Sequence, residues 1–465
     1  MPATIRDEAA PAHARHVRDH CLAPSRSVDA PFAYGGKYGR LFPDLPPLEC
    51  EDPALLALGD VGGLCDGAAT TGDGAVPAGW PLFGQFVAHD ITADRSPLAT
   101  RAEPDAVLNF RTPRANLECL YGAGPMGSPY LYQRDDPAKL LLGQNERGEP
   151  ADLPRNREGI ALVGDPRNDV HLFVSQLHLA LLGVHNGLVD RLREDGVAEG
   201  ELFDEAARAT RWHYQWLLVN DYLPSAVGPQ LVEDLLASGP RLYRPDGTAE
   251  PYIPFEFADG AFRYGHGQIR ERYAVNRASG ELTIFPDLVG FRPVPAERAV
   301  DWSLLFDMPG GEPPQRARRI DGRLVTALIR LPHEITGDVE VAAYRSLAAR
   351  DLERGKALGL PSGEAVARAA GEEPLTPDET GLASAGWTAE TPLWLYFLLE
   401  SAARANGDRL GPAGGRIVAE VLLGILDADP GSYRSVDPGW RPTLPAARPG
   451  RFAMGDLLAF AATAV

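Results

Sequence analysis

The stretch from Trp80 to Arg95, WPLFGQFVAHDITADR, constrains the fold more than any other part of this chain. Its apolar residues recur at helical spacing, so the stretch predicts an amphipathic helix with one buried face. Gln85 and His89 are four residues apart and share one face of that helix, whereas Asp90 points to another side. An imidazole and an amide on an otherwise apolar helix fit two interpretations: a core histidine bonded to a neighbour, or a small buried polar pocket.

The charge and composition of the chain exclude several classes of partner. A net charge of -19 over 465 residues argues against nucleic acid or an anionic membrane surface as the main partner. No run approaches the ~20 apolar residues that span a bilayer, and residues 1–20 lack the apolar segment of a secretory signal. Cys21, Cys50, Cys65 and Cys119 lack metal-ligand spacing, so we expect free thiols in a reducing cytoplasm.

Helical periodicity dominates the rest of the chain, and no βαβ alternation appears. Residues 1–50 lack periodicity and residues 51–79 end in a Gly-rich loop, so we expect an irregular N-terminal arm over 1–74 and one domain over 75–465. The fold class predicted is mainly α, with few short β-hairpins. Further helices are expected at 203–223 (ending before Pro224), 340–358, 363–370, 392–405, 413–427 and 454–464, and a surface hairpin within 133–163.

The longest predicted helix runs from residue 164 to residue 194, where apolar residues step by three or four. Asp165 is suited to the N-cap position and Pro166 to the first helical position. Arg167 then lies in the first turn, where the helix dipole disfavours a cation. A cation in that position suggests an anionic or electron-rich target nearby. His178 and His185, further along, are interpreted as structural.

Two further segments carry polar groups in positions that suit a bound group. Thr112, Arg114, Asn116 and Glu118 alternate along an extended loop, so their groups turn the same way. Such oxygen-bearing groups, with a carbonyl, suit a calcium ion, although a turn-rich surface loop explains the pattern equally well. His266 lies between two glycines, which leave room for something large and flat to approach the imidazole.

Taken together and in this order, these segments resemble the animal-type haem peroxidases of the peroxidase–cyclooxygenase superfamily, within it a soluble bacterial branch. FGQFVAHDIT is similar to the distal helix of that family, GDPRND to its distal arginine motif and FRYGH to its proximal histidine motif. RDLERGKALGLPSG is similar to the segment behind the proximal histidine. The resemblance runs from about residue 75 to the C-terminus and implies one large, mostly α-helical domain around a b-type haem.

The resemblance implies a role for each matching residue. His266 binds the haem iron, His89 is the distal base, Arg167 stabilises the developing negative charge, and Gln85 helps to bind water, peroxide or a halide. Arg263 pairs with a haem propionate, and Asp351 and Arg354 belong to the cofactor-binding segment. The resemblance also implies a calcium site, made by Asp90, Thr112, the carbonyl of Arg114, Asn116 and Glu118, that holds the distal helix rigid.

Two departures from the family pattern bear on how haem is held. Ala88 and Val170 stand where the family has an Asp and a Glu, the carboxylates that form ester bonds to haem in some members. Asp169 lies next to the second position but projects about 100° away around a helix, so it is a poor substitute. The resemblance therefore implies haem held without covalent bonds, by His266, propionate contacts and packing.

A third departure concerns the proximal side and the redox chemistry. Asp351 stands where the family has an Asn that hydrogen-bonds the ligand histidine. A carboxylate accepting the proximal N–H makes the imidazole more basic, lowers the reduction potential and favours O–O cleavage over chloride oxidation. Asn116 stands where a carboxylate is common in the calcium ring, which weakens the expected affinity. The role of His171 is open.

The function implied is that of a haem peroxidase, in which hydrogen peroxide gives an oxoferryl species that oxidises a small phenolic or aromatic donor. The first rival is a fatty-acid dioxygenase or cyclooxygenase. These relatives carry a radical-forming Tyr close before the proximal His, in one branch at the position of Arg263, and neither Tyr264 nor Tyr273 is in register. The second is a tailoring oxygenase acting on a lipid or specialised metabolite, which Ala88 and Val170 favour. The third rival is a non-enzymatic haem-binding or sensor protein. Haem binding alone needs none of Gln85, His89 and Arg167, so the presence of all three argues against this rival.

Overall fold

The fold is built almost entirely from helices, as the periodicity predicts. The computed structural model describes residues 37–67, 72–93, 107–245, 251–339 and 341–464. The α-helices in these residues are α1 (Asp52–Gly59), α2 (Gly79–Ile91), α3 (Glu118–Tyr121), α4 (Gly124–Gly127), α5 (Leu172–Glu194), α6 (Leu202–Leu217), α7 (Leu223–Val227), α8 (Pro229–Ser238), α9 (Phe255–Ala258), α10 (Thr326–Ile329), α11 (His333–Thr336), α12 (Leu347–Ala357), α13 (Gly363–Ala369), α14 (Pro377–Thr380), α15 (Leu393–Ala405), α16 (Pro412–Ala428), α17 (Tyr433–Val436) and α18 (Met454–Ala461). The predicted mainly α fold class is confirmed.

The strands are short and form three separate pairs. β1 (Lys37–Gly39) pairs in parallel with β3 (Tyr252–Pro254), β2 (Asp73–Pro77) pairs antiparallel with β6 (Arg316–Arg318), and β4 (Arg272–Ala274) forms a hairpin with β5 (Glu281–Thr283). Residues 133–163, expected to form a hairpin, instead make isolated antiparallel bridges: Tyr132–Leu140, Gly143–Asp152 and Arg155–Ala161. Glycines and prolines interrupt this segment too often for a continuous ladder.

The expected single helix over 164–194 is wrong, because the chain breaks near Val170. Pro166–Asp169 forms a 3-10 turn, His171 is extended with φ −154°, and α5 begins at Leu172. The carbonyls of Asp169 and Val170 accept hydrogen bonds from the N–H groups of Phe291 and Gly290, at 2.8 and 3.0 Å. Those carbonyls are thus taken by a distant segment instead of by the next helical turn.

Other predicted helices differ in their ends or in their continuity. α2 stops at Ile91, and residues 94–95 of the predicted helix lie outside the described residues. The helix expected over 203–223 is divided by a π-helical turn, Leu218–Tyr222, and continues past Pro224, which is tolerated in the first turn of α7. The helix expected over 340–358 is a 3-10 turn, Ala342–Arg345, followed by α12, whose N-cap is Ser346. The four helices predicted after residue 360 are confirmed as α13, α15, α16 and α18.

The central helix is α5, which packs against α2, α6 and α18. Among the described residues it is the one helix long and apolar enough to cross a membrane, but 89% of its apolar window is buried inside the fold. Such burial is typical of the core helix of a globular domain. By packing on α2, this helix holds one wall of the cavity described below.

The described part of the predicted N-terminal arm packs against the helical domain. α1 lies on α12, and β1 pairs with β3. The Arg40 guanidinium donates hydrogen bonds to the carbonyls of Leu358 and Gly359, at 2.5 and 3.2 Å. These contacts join residues 37–59 to the segment that follows α12. A domain boundary at residues 74–75 stays a prediction.

Candidate active site

A cavity of about 320 Å³ lies between α2 and the 3-10 segment Ala261–Gln268. Both segments that the sequence singles out for their histidines contribute to its walls. The polar residues that line the cavity are Gln85, His89, Thr92, Arg167, His171, Arg263, His266 and Arg350. The structure thus brings the predicted distal and proximal residues to one cavity, although more than 170 residues of sequence separate His89 from His266.

The distal side is organised by a chain of hydrogen bonds between neutral side chains. His89 Nδ1 lies 2.8 Å from Asn168 Oδ1, and Asn168 Nδ2 lies 3.0 Å from His178 Nδ1. Because the amide oxygen only accepts, His89 donates through Nδ1 and keeps the lone pair of Nε2 for the cavity. Burial, with the charge of Arg167, lowers the pKa of His89 to about 3, so the ring is neutral at physiological pH.

A second neutral pair fixes the amide of Gln85. His171 Nε2 lies 2.8 Å from Gln85 Oε1, and His171 Nδ1 caps α5 by accepting from the N–H of Val174 at 3.5 Å. The imidazole therefore donates through Nε2, and the Gln85 carbonyl is occupied. This leaves the Gln85 amide N–H groups for the cavity. Burial lowers the pKa of His171 to about 4, which keeps this pair neutral as well.

Arg167 is held by its neighbours at the edge of the cavity. Its guanidinium donates to the carbonyls of His89 and Thr92, at 3.0 and 2.6 Å, and to the carboxylate of Asp165, at 2.8 Å. Asp165 also caps the turn, accepting from the N–H of Arg167 at 2.9 Å, as predicted. Although burial opposes it, the Arg167 and Arg111 charges hold the pKa of Asp165 well below its usual range.

The proximal histidine bonds to a charged partner, whereas the distal histidines bond to neutral ones. His266 Nδ1 donates to Asp351 Oδ2 at 2.6 Å, which leaves Nε2 facing the cavity. Arg263 donates to Asp351 Oδ1 at 2.8 Å and to Asp259 Oδ1 at 2.5 Å. Asp351 is completely buried, and although burial raises its pKa, the charges and hydrogen bonds of His266 and Arg263 lower it overall.

Arg263 was predicted to pair with a haem propionate, but in the structure it pairs with two carboxylates of the protein. Its guanidinium is already shared between Asp351 and Asp259, so its charge is balanced within the protein. Arg354 is not among the residues that line this cavity, and its place in the cofactor-binding segment stays a prediction. Arg350, one turn earlier on α12, does line it, and its Nε donates to the carbonyl of Tyr344 at 2.6 Å.

Comparison with known proteins identifies the family of this chain. The animal haem peroxidase family model matches residues 120–375, more than half of the chain. The chain belongs to the animal haem peroxidase family. It is 28% identical over 287 residues to peroxidase mlt-7 of Caenorhabditis elegans, covering 58% of this chain and 37% of that protein. It is also 28% identical over 229 residues to human thyroid peroxidase, covering 46% and 23%. The chain therefore spans well under half the length of these relatives.

Solved structures support the same fold. Peroxidase A from Dictyostelium discoideum superposes with a TM-score of 0.64 at 15% identity, covering 87% of this chain and 90% of that one. Oryza sativa fatty acid alpha-dioxygenase superposes with a TM-score of 0.62 at 15% identity, covering 83% and 75%. At this identity the likeness concerns the fold alone.

The cavity residues fit a haem in chemistry and in shape. His266 has Nδ1 anchored on Asp351 and Nε2 left for the cavity, the arrangement that metal-binding histidines usually have. Gly265 lines the cavity beside it, and a Cβ there would make ordinary van der Waals contacts with Pro81, the nearest at 3.8 Å. The far wall is apolar, as a porphyrin requires: Ile269, Ile284, Phe285, Leu328, Leu331, Ile335 and Leu347.

No carboxylate lines the described part of this cavity. Ala88 and Val170 both face it, in the positions where the family pattern has acids. Asp169 points away, as expected, and its carboxylate pairs with the guanidinium of Arg155 through contacts of 2.7 and 2.8 Å. Its direction follows from the break at Val170, which turns the 3-10 segment relative to α5.

The predicted calcium loop does gather next to α2, but its oxygen atoms are already bonded to protein donors. The two Asp90 oxygens accept from the N–H groups of Leu117 and Cys119, at 3.0 and 3.4 Å. Glu118 accepts from Thr112 Oγ1 at 3.0 Å, and Asn116 Nδ2 donates to the same hydroxyl oxygen at 3.2 Å.

The charge of this loop is balanced within the protein as well. Glu118 pairs with the buried guanidinium of Arg111 at 3.1 Å, and the Arg114 side chain reaches Asp429 at 3.6 Å. No group of three His, Cys, Asp or Glu side chains suited to a metal ion occurs in the described ranges. As they lie, these residues do not fit a bound cation, and calcium stays a prediction.

Several residues of the site were not found from the sequence. Asn168 directly follows Arg167, but only the break before α5 turns it toward His89. Tyr222 lines the cavity because the π-helical turn redirects it. The role of His171, which was open, is to cap α5 and to hold Gln85.

Proposed function

We propose that this chain is a haem-dependent peroxidase that uses hydrogen peroxide to oxidise a small organic donor, such as a phenol or an aromatic amine. The observation that carries the proposal is the pair of anchored imidazoles, His89 and His266, whose Nε2 atoms share one cavity. One imidazole is buried and neutral, which suits a base, and the other is backed by a carboxylate, which suits an iron ligand.

Each residue of the cavity has a part in this proposal. His266 holds the iron of a b-type haem, which supplies the redox chemistry when bound. His89 Nε2 takes the proton from the near oxygen of hydrogen peroxide and returns it to the far oxygen. The Gln85 amide donates a hydrogen bond to the incoming peroxide. Arg167 lies at the edge and adds a positive charge, which favours the anionic oxygen that develops.

We propose further that the haem is bound without covalent links. Ala88 and Val170 offer no group that forms an ester, and Asp169 is paired with Arg155. Acid–butanone extraction tests this point: all the haem should leave the protein. Haem that stays with the polypeptide after extraction would contradict the proposal.

A second candidate function is favoured by the apolar wall of the cavity, which suits a lipid or another hydrophobic metabolite. The matching alpha-dioxygenases are named as acting on fatty acids. A haem-dependent oxygenase would need a radical-forming group beside the substrate, but Arg263 at the relevant position is bound to Asp351 and Asp259. Tyr264 is not at that position, and its hydroxyl is hydrogen-bonded to that of Tyr222 at 3.1 Å.

One stopped-flow experiment separates the two candidates. The haem-loaded chain is mixed with stoichiometric hydrogen peroxide, and the Soret band is followed with and without a phenol. The peroxidase proposal predicts a fast shift of the Soret band on mixing with peroxide, and a faster return to the starting spectrum with the phenol. No shift with peroxide, together with oxygen uptake when palmitic acid is added, would favour the oxygenase. The variant His89→Leu should slow the peroxide step by about 100-fold or more.

A further inference from the structure

Two tyrosines form a hydrogen-bonded pair in the wall of the haem cavity. Tyr222 Oη and Tyr264 Oη lie 3.1 Å apart, and both side chains are buried. Gly84 on α2 makes room for this pair, since a Cβ there would lie 2.6 Å from Tyr222 Oη. Tyr264 is two residues before His266, so the pair begins beside the residue that holds the iron.

The aromatic contacts continue from this pair to the other side of α2. The ring centroid of Tyr222 is 5.9 Å from that of Trp80, and Trp80 is 5.2 Å from Phe306. Trp80 is buried, yet one side of it lines a second cavity, of about 250 Å³. Tyr264, Tyr222 and Trp80 are thus a series of oxidisable rings in contact, from the haem cavity to the second cavity.

The second cavity has polar groups next to the indole. Asp221, the neighbour of Tyr222 in the π-helical turn, lines it and accepts from the N–H of Met454 through Oδ2 at 2.8 Å. Within the π turn, Tyr222 therefore lines the haem cavity and Asp221 lines the second cavity. Such turns are frequent at functional sites. Arg448 and Arg451 lie at the exposed rim, and Asp307 and Asp456 complete the polar wall.

We propose that the second cavity binds an electron-rich aromatic donor, a phenol or an aromatic amine, and that its electron reaches the haem cavity through Trp80, Tyr222 and Tyr264. This inference rests on the proposed peroxidase function and adds a donor site remote from the haem. Two donor molecules each lose one electron and one proton, and one hydrogen peroxide takes them up to give two waters and two donor radicals. Asp221 accepts the phenolic proton and passes it to solvent.

The hydrogen bond between the two tyrosines also gives a route for the proton that a tyrosine loses on oxidation. A phenol loses its proton when it loses an electron, and a buried phenol without a partner has nowhere to send it. The 3.1 Å bond lets Tyr222 Oη give its proton to the phenoxyl oxygen of oxidised Tyr264 as the electron moves the same way, so the Tyr264 phenol is restored and Tyr222 becomes the radical. Tyr222 then regains an electron through Trp80 and a proton from solvent, to which Asp221 passes the proton of the donor, so the path is restored after each electron.

The experiment uses the haem-loaded chain with hydrogen peroxide and a nitroso spin trap, without a donor. Peptide mass mapping should find the trap attached to Trp80 or to the two tyrosines, and added 4-methylphenol should suppress the adduct. In Trp80→Phe, the rate at which 4-methylphenol restores the resting Soret band should fall by about tenfold or more, with the peroxide step unchanged. Asp221→Asn should raise the KM for 4-methylphenol.

Trp212→Phe is the matched control, because Trp212 is a buried tryptophan that lines neither cavity. It should behave like the natural chain in both steps. Absence of any Soret change with peroxide in the natural chain would refute the proposed function and this path with it. A normal Soret change, with no adduct on the three residues and a Trp80→Phe rate equal to that of the control, would refute the path alone.

Discussion

The two sides of the haem cavity use the same residue type under opposite electrostatic conditions. On the distal side, His89, His171 and His178 form hydrogen bonds with neutral amides, and burial, helped at His89 by the charge of Arg167, lowers the pKa of each to between about 3 and 4. On the proximal side, His266 bonds to a buried carboxylate that is itself held by Arg263. In the proposed function, the base that takes and returns a proton is thus kept uncharged, and the iron ligand is made electron-rich by a fixed negative charge.

The proximal side also shows how a buried carboxylate can remain charged inside the protein. Asp351 is completely buried, and an isolated carboxylate there would be costly. It remains charged because the imidazole and the guanidinium each donate to one of its oxygens. The same guanidinium competes with His266 for the charge, so Arg263 moderates the basicity that Asp351 gives to the imidazole.

The largest expected effect follows removal of the proximal ligand. His266→Ala should yield protein that lacks the Soret band of bound haem, because the change removes the imidazole assigned to the iron. His333→Ala, a change at an exposed histidine on α11, is the control and should bind haem normally. Retention of the full Soret band by His266→Ala would remove this residue from its assigned role.

The next effect concerns the neutral relay on the distal side. Asn168→Leu keeps the volume but removes the group that fixes the tautomer of His89, so the rate constant for the peroxide step should fall by about 100-fold. Asn186→Leu is a matched control, since Asn186 is a buried asparagine that bonds to the backbone of Leu140 away from the cavity. Equal rates for the two variants would show that Asn168 does not position the base.

A smaller effect is expected when the proximal charge is removed. Asp351→Asn should raise the haem reduction potential by on the order of 59 mV, a tenfold change in the one-electron equilibrium. The reason is that an amide accepts the His266 N–H more weakly than a carboxylate does. Asp259→Asn changes the charge next to Arg263 without touching His266, and spectroelectrochemical titration should find a smaller shift for it. A lower potential in Asp351→Asn would contradict the comparison.

The smallest effect measures what neutral burial of histidine contributes to stability. Burial lowers the pKa of His185 to about 4, whereas an unfolded histidine titrates near 6.5. The stabilisation is complete above pH 6.5 and is lost as pH falls toward 4, because the unfolded chain binds the proton first. Between pH 7 and pH 5 the free energy of unfolding should fall by about 1–2 kcal/mol less in His185→Gln than in the natural chain.

Urea denaturation at the two pH values provides this measurement. His333→Gln, at an exposed position, should leave the pH dependence unchanged and serves as the control. An equal fall in His185→Gln and in the natural chain would mean that His185 does not contribute to the acid sensitivity.

The sequence predicts the helices of this fold better than it predicts their interruptions. The spacing of Gln85 and His89 is local, and both do face one cavity from α2. The break at Val170 is not local, because it depends on hydrogen bonds to Gly290 and Phe291 about 120 residues away. No periodicity within the segment signals such a contact, and the position of Asn168 follows from it.

The proximal contacts of the site could be predicted only with the help of the family resemblance. Neither composition nor spacing joins Asp351 to His266, and the resemblance placed them together correctly. It did not include Arg350, the arginine of α12 that lines the cavity, and the role of Arg354 stays a prediction. The distribution of the Arg263 charge between two acids also depends on Asp259, which the family motif does not include.

The most direct test of the contrast between the two sides is the pH dependence of the reaction of the haem-loaded chain with hydrogen peroxide, measured by stopped flow from pH 5 to pH 8. Because His89 has a pKa of about 3, it remains neutral over this range, and the second-order rate constant should stay flat. A rate constant that falls as the pH is lowered, with a midpoint near pH 6.5, the ordinary pKa of histidine, would contradict the account of a buried neutral base.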